Sequence, residues 1–283
     1  MNDSVAAPVI TAVIDGHDVE VSPGTTILEA LRGLGKSVPT LCYSDRMKPF
    51  GACRTCIVED LGRKPVASCH TAVRQGAVYR TASPYLTKLR RNITELIVSD
   101  HPLECLDCSA NGRCELQTLA QQVGLRQPLY ESPPQHHPAR DDRHPFIKLE
   151  MDKCIGCARC VRACDEVQGS FILQMEGRGY DTRVIAGNDT GMEAADCVSC
   201  GQCVVECPVA ALSEPGIRTH GLPDDTVTTT CSYCGVGCSL DVHGRDGRGA
   251  YSERTRRRAG SYYYYYYRQY AQYYGDENES DAA

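Results

Sequence analysis

The sequence predicts an α+β chain assembled from small metal-binding modules, and three observations point that way. The spacing Cys154, Cys157, Cys160, Cys164 recurs as Cys197, Cys200, Cys203, Cys207. The 283 residues include 18 cysteines but no tryptophan and three phenylalanines, so apolar burial is modest and metal ligation must supply much of the folding energy. Before the repeat, β-rich runs alternate with runs of helical period.

Two CxxCxxCxxxC runs, the second closed by Pro208, have the spacing of a pair of four-iron, four-sulfur clusters. In such a pair the fourth cysteine of each run serves the other run's cluster. Cys154, Cys157, Cys160 and Cys207 are therefore expected at one site, and Cys197, Cys200, Cys203 and Cys164 at the other. Gly156 and Gly201, close behind the first cysteine of each run, let backbone pass near inorganic sulfide without a side chain. Two zinc sites are the competing reading, but zinc sites usually stop at four ligands in two pairs.

Disulfides fit poorly, because CxxC clusters sit in a chain without a secretory signal. Met1 to Pro8 lacks a basic segment followed by an apolar core, and no apolar run approaches the roughly 18 residues of a membrane span. The expectation is a soluble protein of a reducing cytoplasm. A net charge of -6, from 30 basic and 36 acidic residues, gives no case for a nucleic-acid partner.

Val9 to Ile14 and Val19 to Val21 flank Asp15 and Gly16 and read as a hairpin. Thr26 with Glu29 forms a capping box, after which Ile27, Leu31 and Leu34 line one helical face. Cys42, Cys53, Cys56 and Cys69 follow, then a short strand from Ala77 to Arg80. Hairpin, helix and cysteine-bearing loop predict a small β-grasp domain. Ser83 and Pro84 open a second helix, whose apolar positions are Leu86, Leu89, Ile93 and Leu96. That helix leads to His101, Cys105, Cys108 and Cys114, with Gly112 easing the turn. A histidine placed just ahead of three cysteines that lack a fourth reads as a ligand, whereas His70 reads as a surface residue.

Gln121 to His144 is rich in Pro, Gln, His and Arg and reads as a connector with solvated His136, His137 and His144. Phe171 to Met192 reads as a short hairpin or loop beside the clusters. Cys231, Cys234 and Cys238 stand in TCSYCGVGC, and no cysteine follows them. Gly244 to Gly249, a basic run from Arg254 to Arg258, six tyrosines from Tyr262 to Tyr267 and acidic Asp276 to Asp281 read as a low-complexity tail.

These motifs carry a resemblance. Cx10CxxCx12C over Cys42 to Cys69 resembles the two-iron ferredoxin domain at the start of complex I and hydrogenase electron-input subunits. HPLECLDCSANGRCELQ resembles the histidine-ligated four-iron site of those subunits and of NAD-dependent formate dehydrogenases. Histidine in place of a thiolate raises a cluster's potential. TCSYCGVGC resembles the entry to a molybdenum or tungsten bis-pterin domain, where a later cysteine completes a further four-iron cluster.

In this order the modules resemble the N-terminal iron-sulfur region of the α subunit of an NAD-dependent formate dehydrogenase. The resemblance implies a two-iron ferredoxin domain over 1–82 and a small helical His/Cys3 four-iron domain over 83–124. A linker over 125–144 and a two-cluster ferredoxin domain over 145–216 follow. The start of a molybdopterin domain over 217–245 completes the resemblance, which ends at about Val242; the stretch over 246–283 departs from the family and reads from its composition as a disordered tail. The resemblance also implies one [2Fe-2S] and three [4Fe-4S] clusters, with a further [4Fe-4S] site incomplete at Cys231, Cys234 and Cys238. The bis-pterin centre is expected only in a full-length parent, and the partners are flavin- and NAD-binding iron-sulfur subunits.

With all cysteines placed as ligands, none is left as a catalytic nucleophile, and an electron relay without a complete catalytic site is expected. The diaphorase subunit of an NAD-reducing hydrogenase is the nearest alternative, and CSYCGVGC argues against it. Complex I's large iron-sulfur subunit is expected to be less similar, because the paired module is not its usual third element. Iron-only hydrogenases should add cysteine motifs absent here. A zinc protein that contacts nucleic acid through the Arg/Tyr tail is the alternative of another class.

Overall fold

The computed structural model describes residues 9–127, 129–130, 140–215, 223–230, 237 and 239–254. They fall into two compact units, one drawn from 1–103 and 112–135, the other from 104–111 and 136–283.

In the first unit β1 (Ile10–Ile14) and β2 (His17–Val21) form the expected hairpin. Asp15 and Gly16 at its turn have φ of 50° and 79°, the left-handed pair that a tight turn between twisted strands requires. α1 (Ile27–Gly33) opens on the capping box: the Glu29 N–H donates to Thr26 Oγ1 at 3.2 Å and the Thr26 N–H to Glu29 Oε2 at 2.7 Å. β3 (Ile57–Asp60), β4 (Val66–Ala67) and β5 (Val78–Arg80) complete a five-stranded sheet in the order β2-β1-β5-β3-β4. β5 runs parallel to β1, and the other neighbours are antiparallel. Ile14, Val58 and Tyr79 of the sheet share one buried core with Ile27, Leu28 and Leu31 of α1.

α2 (Pro84–Ser99) is capped by Ser83, whose Oγ accepts from the Leu86 N–H at 3.1 Å. Its buried side chains are Leu86, Thr94, Glu95 and Val98. Leu96, expected on the buried face, is 60% exposed. Positions 86, 94 and 98 stack at multiples of four, which turns 96 toward solvent. α3 (Glu115–Gln122) buries Leu116 and Leu119.

In the second unit β6 (Arg140–Asp141) and β7 (Lys148–Glu150) precede α4 (Arg159–Arg162), which widens into a π-helical turn over Ala163–Gln168. β8 (Leu173–Glu176) and β9 (Arg183–Ala186) pair as the expected hairpin. α5 (Gln202–Glu206) and β10 (Leu212–Ser213) follow, and β10 joins a sheet of order β10-β7-β6. The chain then forms an antiparallel meander of β11 (Asp225–Thr230), β12 (Ser239–Arg245) and β13 (Arg248–Arg254).

Two expectations are corrected. Composition extends the connector through 144, but order resumes at β6, and His144 is only 4% exposed. Its burial answers to Ser199, a partner too distant in the chain for composition to reveal. Composition also starts the tail at 246, yet β13 pairs with β12 from Arg248 to Arg254. Asp246 at φ 53° and Gly247 at φ 75° make the turn between them, which glycine and arginine content concealed. Residues 255–283, with the tyrosine run, and His136 and His137 lie outside the described residues.

Candidate metal centres

In the first unit the loop between α1 and β3 carries Cys42, Cys53 and Cys56, and Cys69 joins them from just beyond β4. The Cys42 N–H donates to Cys53 Sγ at 3.4 Å, and the Cys53 N–H to Cys42 Sγ at 3.5 Å. Hydrogen bonds from Cys53 and Cys69 hold Cys42 down to about 2, and one from Cys69 holds Cys56 down to about 6. Cys53 is raised chiefly by its bond to Cys42, and Cys69 by its bonds to Cys42 and Cys56. The four thiols thus form one bonded set in which two are poised as thiolates, the form that binds metal. Gly51 at φ 72° and Arg54 at φ 59° bend the loop around them. His70 is exposed, as expected.

His101 follows the end of α2, where its N–H donates to the Val98 carbonyl at 3.1 Å. Cys114 is the N-cap of α3. Both belong to the first unit, while Cys105 and Cys108 belong to the second. These last two bracket a 3-10 turn closed by the Cys108 N–H donating to the Cys105 carbonyl at 3.2 Å.

The paired runs repeat one backbone shape. At matching places Gly156 and Ser199 have φ of 64° and 55°, and Ala158 and Gly201 have φ of 56° and 69°. Left-handed residues so placed turn successive N–H groups into an anion-binding concavity of the kind many iron-sulfur sites use. The Gly156 N–H donates to Cys154 Sγ at 3.4 Å, and the Ile172 N–H to Cys164 Sγ at 3.3 Å. The π-helical turn carries Cys164 away from its own run.

The thiols group across the runs. Cys164, Cys197, Cys200 and Cys203 line one small cavity. Burial pushes Cys203 well up, reinforced first by Cys200, Cys197 and Cys164. Burial likewise raises Cys160, reinforced first by Cys157, Cys154 and Cys207. Cys154 is pushed up to about 11 and Cys157 to about 12, so loading metal here releases protons. The donor sets, all thiol with backbone N–H groups aimed at sulfur, fit four-iron clusters. Among the described residues no three His, Cys, Asp or Glu side chains are placed to hold a single metal ion, whereas a cluster spreads its thiolates over several irons.

Cys231, Cys234 and Cys238 lie outside the described residues. The β11–β12 register runs up to Thr230 opposite Ser239, the residues that flank their segment. Two polar residues near the paired sites escaped the sequence reading in their roles, His144 and Arg159. The only available signal for Arg159 was the comparison of the two runs, which places it opposite Gln202.

Fold and thiol sets define an iron-sulfur electron-transfer protein. Residues 7–84 match the 2Fe-2S iron-sulfur cluster binding domain, and 90–128 the NADH-ubiquinone oxidoreductase-G iron-sulfur binding region. Residues 153–211 match the 4Fe-4S dicluster domain, and 224–262 the molybdopterin oxidoreductase Fe4S4 domain. An NADH-quinone oxidoreductase subunit from Rhizobium meliloti is 37% identical over 244 residues, which covers 84% of this chain and 28% of that protein. A formate dehydrogenase by name from Staphylococcus haemolyticus is 30% identical over 278 residues, with the same shares covered. A chain in the crystal structure of an NAD+-reducing [NiFe]-hydrogenase in the H2-reduced state is 30% identical with a TM-score of 0.63. That match covers 73% of this chain and 87% of the hydrogenase chain.

The chain belongs to the family of iron-sulfur subunits shared by these oxidoreductases and corresponds to their N-terminal iron-sulfur region. It spans 28% of the length of the two curated relatives. The expectation that complex I's large subunit is the less similar one is corrected, since a relative of that kind aligns over 84% of the chain.

Proposed function

We propose that this chain is the electron relay of an NAD-linked formate dehydrogenase. It carries electrons singly between a metal-pterin formate centre and a flavoprotein that reduces NAD, in the cytoplasm. The observation that carries the reading is the order of modules: a two-iron domain, a histidine-bearing site, paired four-iron sites, then TCSYCGVGC between β11 and β12. Clusters, when bound, supply reversible one-electron chemistry. The chain's own residues hold them, exclude water by burial and aim N–H groups at sulfur.

The ligand assignment follows the spacing of the motifs along the chain, supported at Cys42 to Cys69 and in the paired runs by the grouping of their thiols. Cys42, Cys53, Cys56 and Cys69 hold one two-iron cluster. His101, Cys105, Cys108 and Cys114 hold a four-iron cluster, and the crossed sets of the paired runs hold two more. Cys231, Cys234 and Cys238 contribute to a further site. Iron and acid-labile sulfide analysis of the purified chain tests this: about 14 iron atoms are expected for four complete clusters, and near-zero iron with bound zinc would overturn it. His101→Ala should remove or shift one four-iron electron paramagnetic resonance signal.

A second reading, a complex I-type relay, is favoured by the Rhizobium meliloti relative. The two separate in the assembled complex. Formate reduces the clusters under the first reading, and only NADH does under the second.

A further inference from the structure

We propose that the buried Arg159–Glu206 ion pair sets the reduction potential of the site formed by Cys154, Cys157, Cys160 and Cys207 apart from that of its twin. This rests on the ligand assignment proposed above. The two runs have the same spacing and the same left-handed backbone positions, but they differ in buried charge. Superposing the runs sets Arg159 against Gln202 and Ala163 against Glu206, so one run carries a cation where the other is neutral.

Arg159 lies between Cys157 and Cys160, and Glu206 directly precedes Cys207. Both are buried, at 8% and 3% exposure, and Arg159 Nη2 donates to Glu206 Oε2 at 3.2 Å. A buried ion pair is weak evidence for stability, because apolar residues of similar volume often serve as well. Its position beside three of the four thiols assigned to one site points to another role. Arg159 is next to Cys160 and two residues from Cys157, and its ion pair reaches the residue before Cys207. The field of its charge favours an added electron on a cluster held by those thiolates, and Glu206 tempers it. Gln202, equally buried at 3%, exerts no such field on the second site.

The test is an electron paramagnetic resonance-monitored redox titration of the full, cluster-loaded chain. Arg159→Gln should make one four-iron signal about tenfold harder to reduce, or about 59 mV for one electron, and leave the others in place. Glu206→Gln should move the same signal the opposite way, and Arg159→Lys should restore most of the shift. Arg159→Gln leaves Glu206 buried without that partner and risks misfolding. The Arg159→Gln/Glu206→Gln double variant leaves neither charge of the pair buried alone, and relative to wild type it should move the same signal in the direction of Arg159→Gln by a smaller amount. Arg162→Gln removes the other buried arginine of α4, which stands opposite Val205 in the second run, and should shift that signal less than Arg159→Gln does.

Potentials unchanged in chains with a full iron complement, or a shift shared equally by Arg162→Gln, would overturn the proposal. A wild-type chain that holds little iron or sulfide would instead overturn the ligand assignment beneath it.

Discussion

Ser199 Oγ lies 3.1 Å from His144 Nε2, across 55 residues of chain. The other ring nitrogen, Nδ1, accepts from the Phe146 and Ile147 N–H groups at 3.2 and 3.1 Å. Two bonds accepted at Nδ1 leave the ring's proton on Nε2, directed at Ser199, so His144 is held neutral. Ser199 stands between Cys197 and Cys200 with φ of 55°, and this bond helps keep it there.

Replacing His144 with alanine orphans two backbone donors and releases Ser199. The expected loss is roughly 2–4 kcal/mol, read by urea unfolding of the cluster-loaded chain. Hydrogen exchange should accelerate at the Phe146 and Ile147 amides; unchanged protection there would contradict the assigned bonds.

The same histidine predicts an acid limit. Burial lowers its pKa below the ordinary 6.5, against the opposing charges of Glu193 and Asp141. A folded-state pKa below the unfolded one means that the unfolded chain binds the proton first. Stability from this site is therefore complete above pH 6.5 and falls as pH drops from there through the depressed folded value. In His144→Gln that part of the pH dependence of unfolding should vanish.

Crossed ligation gives a paired prediction. Cys164→Ala should cost about four irons at the site of Cys197, Cys200 and Cys203, although Cys164 belongs to the other run. Cys207→Ala should cost the same number from the site of Cys154, Cys157 and Cys160. Iron analysis with magnetic resonance of each variant decides it, because uncrossed ligation would exchange the two lost signals.

Gly156 has φ of 64°, and a Cβ there would meet nothing within 4 Å. The cost of Gly156→Ala is then conformational alone, about 1–2 kcal/mol for a left-handed alanine. Thermal unfolding of the loaded chain measures it. A much larger loss would mean that the loop needs the space as well as the angle.

The candidate ligands were legible because cluster ligands come in tight local spacings that survive as patterns in the chain. The β1–β2 hairpin and the Thr26 capping box were legible for the same reason, being built from neighbours. β3 and β4 were not, since strands of four and two residues beside cysteines carry too little alternation to register. β13 was missed because glycine and arginine masked a hairpin whose signal lay in the Asp246–Gly247 turn.

The sequence by itself determined which residues are available as ligands and in what order the modules stand along the chain, because both depend on neighbours a few residues apart. Only the tertiary structure decided that His144 holds Ser199 and that Arg159 meets Glu206 in the interior. Each joins residues tens of positions apart, and such contacts exist only once packing has brought distant segments together and excluded water from between them.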